Sequence, residues 1–255
     1  MKINIKTYIL GILMTVTLAA QQSSVYPQPI DLITIPTAGI IPRGAYLAQF
    51  LLSTEGGLTG GIEVGISNRF MFGISYGGAH IIGDQKIIFN AQPGVLVKYR
   101  LVDETTKWPA FALGFNSQGF GAYLKDTQRY ETKAKGLYLV ASKNYHLLGN
   151  LGLHAGVNYN PLESGDGDKN PSMFLGLDKD INQEIALLLE YDAAFNDDQT
   201  SSVGLGTGKG YLNAGLRWTF VERFHVELDF NNILLNRREI DYLNRELKIT
   251  FIEFF

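Results

Sequence analysis

The acid–base groups of this chain are few and patterned. Its four histidines are His80, His146, His154 and His225. His225, Glu227 and Asp229 alternate with Val226 and Leu228, so a strand would place all three on one face. An imidazole flanked by carboxylates is equipped for general acid–base work. Asp192 is expected nearby at the outer rim. A hydrolase also needs a nucleophile within reach of the base. No serine stands two residues from any histidine, so no such pair lies along one strand face. The competing reading is an interior hydrogen-bonded network, in which charges pair to offset desolvation. No catalytic residue is assigned, and the expectation is a protein that is not an enzyme. A hydrolase built on His225 and Glu227 is the less favoured alternative.

Two further stretches suggest ligands. Asp166-Gly167-Asp168-Lys169-Asn170 begins like a calcium loop, but Pro171 and Leu177 stand where Gly and Glu are required. Gly204-Leu205-Gly206-Thr207-Gly208-Lys209-Gly210 hints at a phosphate loop, yet Gly210 replaces the hydroxyl residue after the lysine. The stretch also leads into a strand, so no helix N-terminus awaits an anion. The two read as a solvated turn and a flexible loop, with no metal and no cofactor.

The elements that carry these residues follow from composition and period. Hydrophobic residues make up 45% of 255, yet mean hydropathy is only +0.01, and no apolar run reaches the roughly 20 residues of a spanning helix. The formal net charge of −3 gives no basic surface for nucleic acid. Cysteine is absent, which excludes disulfides and thiolate metal sites. Lys2 and Lys6, the apolar run Tyr8 to Leu18 and the small residues Ala19 and Ala20 read as a signal peptide over 1–20. Residues 21–44 are proline-rich and linker-like, expected either in the periplasm or folded into the interior as a plug.

From Ala45 onward, period-two segments recur near 45–53, 58–66, 69–77, 94–102, 109–118, 136–145, 150–159, 172–178, 184–192, 210–220, 223–231 and 246–255. Apart from the first hairpin, short connections alternate with long ones. That sorting is the mark of an outer-membrane barrel, with short periplasmic turns and long outer loops. The expected fold class is therefore all-β: a transmembrane antiparallel up-and-down barrel of about twelve strands over 45–255. Charge on the lipid face would cost a few kcal/mol per residue. Glu63, Lys98, Arg100, Asn116, His154, Asn158, Glu190, Asn213, Arg217, His225, Glu227, Asp229 and Lys248 are accordingly expected to line the lumen. Tyr46, Trp108, Tyr145, Tyr159, Tyr191, Trp218 and Phe220 sit at strand ends, as interfacial girdles require. Glycines recurring inside strands are expected to let opposing lumen side chains lie down.

The last segment, Glu246 to Phe255, reads as the strand that closes the barrel against the first. Phe251 and Phe255 are the expected insertion signal, read by the barrel-assembly machinery. Glu253 falls on the lipid-facing register of Leu247, Ile249 and Phe251. It belongs either in the headgroup zone or beside a bulge near Ile252.

Several runs together resemble one family. They are Pro36-Thr37-Ala38-Gly39 with Pro42-Arg43-Gly44, Gly61 to Arg69, Gln92-Pro93-Gly94-Val95 with Lys98, Pro109 to Phe115, Ser142-Lys143-Asn144, Gly176 to Lys179, Glu190-Tyr191-Asp192 and Gly210 to Asn213. The chain is similar to a single barrel unit of the YjbH-like outer-membrane proteins associated with exopolysaccharide production. The resemblance implies an outer-membrane location, lipid as surroundings and polysaccharide as a partner. The function expected from all of this is a channel or accessory for passage of polysaccharide or small polar solutes. A closed structural or surface-binding barrel acting through its outer loops is the alternative.

Overall fold

The computed structural model describes residues 28–198, 205–221, 223–238 and 240–255. The expected signal peptide and Gly204 lie outside them. Twelve antiparallel strands form a closed barrel. In chain order they are β1 (Ala45–Ser53), β2 (Gly57–Ser67), β3 (Phe70–Ala79), β4 (Gly94–Val102), β5 (Ala110–Asn116), β6 (Gly136–His146), β7 (Asn150–Tyr159), β8 (Ser172–Asp180), β9 (Ile185–Asp192), β10 (Tyr211–Phe220), β11 (Phe224–Asn231) and β12 (Asn244–Phe254). Each pairs with its chain neighbours, and β12 closes on β1 from Ala45↔Phe254 to Leu52↔Leu247. That register is unbroken, so no bulge interrupts β12 at Ile252. Glu253 stays on the outward face and pairs with Arg223 at the periplasmic edge, 2.6 Å away.

Alternation sorts the two faces. Ile74, Leu113, Leu153, Val157, Leu175, Leu189 and Leu216 are exposed on the outer wall, although they are large and apolar. A surface of this kind in water would be an aggregation site. Around a closed barrel it is the band that lies in lipid. Aromatic residues mark its edges, with Tyr159 and Tyr191 on the outer rim and Tyr99, Trp108 and Trp218 on the inner. Trp218 packs on Phe220, with ring centroids 4.3 Å apart. No helix of the described residues is long and apolar enough to cross a membrane. The spanning elements are the strands, and the architecture is that of the bacterial outer membrane.

The interior is filled from within the chain. Residues 28–44 enter at the periplasmic end and form a hairpin, with Asp31 bridged to Pro36, Thr37 N donating to Ile30 O at 3.1 Å, and a tip at Leu32–Ile35. The tip is buried against Ala110, Ala112, Tyr138, Val140, Phe174 and Leu188. Lower down, Ile30, Ile40 and Ile41 pack on Ala45, Leu47 and Met71. Strand glycines make the room. A Cβ at Gly114 would collide with the Tyr138 ring and one at Gly156 with Phe174, so both rings lie flat against the wall.

The lipid band generates a direct test. Leu189→Arg, on the outer wall, is expected to lower stability by about 2–4 kcal/mol in a denaturant titration in vesicles. Leu162→Arg, on an exposed outer connection, is expected to change it by less than about 0.5 kcal/mol.

Candidate functional site: the hairpin-filled lumen

The barrel wall grips the hairpin by its main chain. On β9, Glu190 accepts from the backbone N–H of Ile33 (3.0 Å), Thr34 (2.9 Å) and Ile35 (3.1 Å), and from Thr34 Oγ1 (2.5 Å). One carboxylate thus collects the donors that a tight turn leaves pointing the same way. Asn213 on β10 steadies it, donating to Glu190 Oε1 at 2.7 Å. From the other wall, Lys248 Nζ donates to Leu32 O at 2.6 Å and Ile33 O at 3.3 Å. Lys98 Nζ donates to Ile30 O at 2.6 Å and Gly39 O at 3.2 Å. Arg100 donates to Ala38 O from two nitrogens, at 3.0 and 2.7 Å, and to Gln28 Oε1 at 3.3 Å. These side chains come from four strands, and alternation aims each inward.

A second set binds wall to wall. Glu227 joins Arg217 at 2.5 Å and Lys248 at 2.6 Å, and Arg217 also reaches Asp31 O at 3.4 Å. His154 on β7 sits between Ser142 on β6 and Asp178 on β8, at 2.7 Å from each. Spacing along the sequence does not reveal this Ser–His–Asp relay, because each member lies on a different strand. Cross-strand register brings them together, since Ser142 faces His154 and Asp178 faces Gly152. Its output is spent, because Ser142 Oγ accepts Ala38 N–H at 2.8 Å and all three residues are buried beneath the hairpin. The relay therefore pins the hairpin's return arm.

The remaining expected lumen residues are placed as follows. His225 Nδ1 is 2.9 Å from Thr219 Oγ1, near the periplasmic mouth. Asn158 donates to Lys135 O at 3.1 Å, and Asn116 accepts from Gln118 N at 2.9 Å, both toward the outer end. Glu63 lies beside Gly73, with Oε2 buried and unbonded. Asp229 is buried with neither oxygen hydrogen-bonded. His225 is thus bonded to a hydroxyl, while Glu227 is engaged by Arg217 and Lys248.

The outer end is closed by its own network. Connection 117–135 folds into a hairpin, Phe120–Leu124 against Arg129–Thr132. Arg129 is fully buried between Asp166 (2.7 Å) and Asp197 (2.8 Å), and Lys133 reaches Asp166 at 2.8 Å. Lys135 pairs with Asp192. The calcium-like stretch is thus served by the chain's own cations. Among the described residues, no cluster of His, Asp or Glu is arranged to hold a metal. The glycine stretch is likewise engaged, with Thr207 N and Lys209 N donating to Asn236 Oδ1 at 3.1 and 2.8 Å.

Burial pushes the Asp197 carboxyl up, but the hydrogen bonds and charge of Arg129 and the Tyr211 hydroxyl more than offset it. The group is held below the usual carboxylate range. Burial alone would lower Arg129, yet Asp197 and Asp166 raise it above its ordinary value.

No protein-family model matches the chain, and no curated protein matches it. Among solved structures it is similar to the KdgM porin, at 10% identity and a TM-score of 0.46, over 83% of this chain and 99% of the other. It is also similar to the NanC porin, at 10% identity and 0.44, over 82% and 99%. A third likeness is to Omp33 of Acinetobacter baumannii, at 9% identity and 0.43, over 83% and 97%. Likenesses this distant leave the functional argument to the chain's own geometry.

Two outcomes follow. Glu190→Gln removes the charge and leaves one neutral acceptor oxygen, with an NH2 donor in place of the other, at the hairpin tip, so hydrogen exchange at Ile33, Thr34 and Ile35 is expected to speed by about tenfold or more. A depressed carboxyl loses its stabilising contribution as pH falls through its folded value. Proteolysis within 120–135 is therefore expected to stay slow at neutral pH and to rise only below about pH 4. Asp197→Asn is expected to remove most of that pH dependence.

Proposed function

We propose that this protein is a gated outer-membrane channel for polar solutes, held shut by its own N-terminal hairpin. One observation carries the reading. Lys98, Arg100, Lys248 and Glu190 spend their hydrogen bonds on the main chain of a separable segment. Remove that segment and the same groups line a wide, charged passage. A barrel of eight strands is filled by wall side chains and one of sixteen leaves a channel. A barrel of twelve stands between those sizes, and here the hairpin fills its interior. The mixed charge of the wall suits polar solutes of either sign over a strictly selected ion.

A polysaccharide as the passenger rests on the resemblance to the YjbH-like proteins. Assembly through the barrel-insertion machinery, with Phe251 and Phe255 presented to lipid, belongs to the same reading. So do export of the chain by a signal peptide over 1–20 and its division into hairpin segment and barrel. The reading involves no catalysis. The densely bonded outer network favours a second reading, a permanently closed barrel that acts through its outer face.

Planar bilayers separate the two. The full chain is expected to be nearly silent, and the chain lacking residues 30–41 to conduct in large, stable steps. A deletion variant that still shows heat-shifted gel mobility, and so is folded, yet does not conduct would favour the closed barrel and overturn the channel.

A further inference from the structure

The outward face of β12 runs through Leu247, Ile249 and Phe251 and carries a charge at each end. Glu253 stands at the periplasmic edge and is matched by Arg223 at 2.6 Å. Arg245 stands at the opposite end. Asn244 and Glu246 on either side of it are buried toward the lumen, so alternation turns Arg245 outward. Arg245 and Glu253 are eight residues apart. At about 3.4 Å per residue and a tilt of about 40°, that is roughly 20 Å along the membrane normal, close to the ~25 Å height of a barrel's apolar band. The guanidinium thus lies at the height of the outer headgroups. It is exposed, and among the described residues its side chain has no ion-pair or hydrogen-bond partner. The two charges that bracket the band therefore differ, since the inner one is neutralised within the protein and the outer one is not.

The surroundings of Arg245 suit an amphiphile. Phe230 faces it in the strand register, and Leu243 and Leu247 stand two residues to either side. The connection that leaves β11 and returns as β12 still exposes Ile233, Leu234, Tyr242 and Leu243. Exposed apolar surface edged by charge marks a place of contact. Two more exposed cations stand beside it. Arg238 is fixed by its N–H to Leu205 O at 2.9 Å and by Nε to Gly206 O at 3.1 Å, which leaves its terminal nitrogens free to bind. Lys209 is held at the outer aromatic ring, where its carbonyl accepts from Tyr191 Oη at 3.0 Å. Asp241, an exposed acid of the same connection, pairs with none of the three.

We propose that the outer ends of β10–β12 form a binding site for an outer-leaflet lipid whose headgroup bears phosphate monoesters. A phosphate monoester carries up to two charges and three acceptor oxygens, and a guanidinium meets it with a two-pronged fork. Cations spread over three strands at about 4.8 Å spacing cover roughly 10 Å, the reach of a headgroup with more than one phosphate. Its acyl chains would lie on Phe230, Leu228 and Leu247. The bound lipid would also brace the outer seal. The same connection holds Thr207 and Lys209 through Asn236, and Glu131 through Arg237. The site is independent of whether the hairpin leaves the lumen.

The test uses the full chain in phosphatidylcholine vesicles doped with lipid A, with dephosphorylated lipid A or with phosphatidylglycerol. The readout is the half-life of the folded, fast-migrating gel band on heating. Lipid A is expected to lengthen it by about tenfold over the dephosphorylated form, and phosphatidylglycerol by less than about half as much. Arg245→Gln is expected to lose most of that gain and Arg245→Lys to keep part of it. Arg223→Gln, at the inner edge, is expected to keep it all. Equal protection by dephosphorylated lipid A, an undiminished gain in Arg245→Gln, or the same gain from inorganic phosphate alone would overturn the site. Should Arg245→Gln show no folded band, the Lys209→Gln, Arg238→Gln double variant carries the same test, and an undiminished gain there would overturn the site equally.

Discussion

A wall charge that finds its partner in the main chain of the hairpin is the interaction on which this structure depends. Buried ions are tolerated when hydrogen bonds replace their water. Glu190 takes three consecutive backbone N–H groups, while Lys98, Lys248 and Arg100 take carbonyls of the same segment. The need is mutual. A turn buried in a barrel has polar groups that its own short ladder cannot satisfy, and the wall has charges that lipid would not accept. Each solves the other's problem, and the apolar side chains of Leu32, Ile33 and Ile35 fill what space is left.

The rest of the barrel arranges itself around that exchange. Alternation sends the ions inward only because the opposite face is apolar enough for lipid. Small residues opposite Tyr138 and Phe174 let the wall thin where the hairpin is thickest. Outside the membrane a different logic applies. The outer connections hold together through Arg129, Lys133 and Lys135 against Asp166, Asp192 and Asp197, pairs made between side chains and buried by folding of the loops over one another. The lower seal is thus mainly side chain to main chain, while the upper one adds buried ion pairs to bonds of that kind, such as Lys133 Nζ donating to Asn196 O. A pH change acts on the upper seal through Asp197.

Much of this was legible in the sequence, and for a physical reason. Strand period and loop length are local properties, and the twelve segments lie within a residue or two of their observed bounds at most ends. The course of residues 28–44 was open because prolines mark the absence of a strand without saying where the chain goes. The Ser142–His154–Asp178 relay was invisible because its spacing is set by register across three strands. Asp166 was misleading for a related reason. Its neighbours suggested a metal loop, while its real partners, Arg129 and Lys133, come from a connection more than thirty residues earlier.

The most direct measurement uses the chain's lack of cysteine. Thr34 Oγ1 and Asn213 Nδ2 are 3.4 Å apart, one on the hairpin tip and one on the wall. Thr34→Cys combined with Asn213→Cys, oxidised in native membranes, should form an intramolecular disulfide and change mobility on a non-reducing gel. Either single variant should not. A folded, heat-modifiable double variant that stays reduced under the same oxidant would show that the hairpin does not occupy the lumen, and would contradict the account.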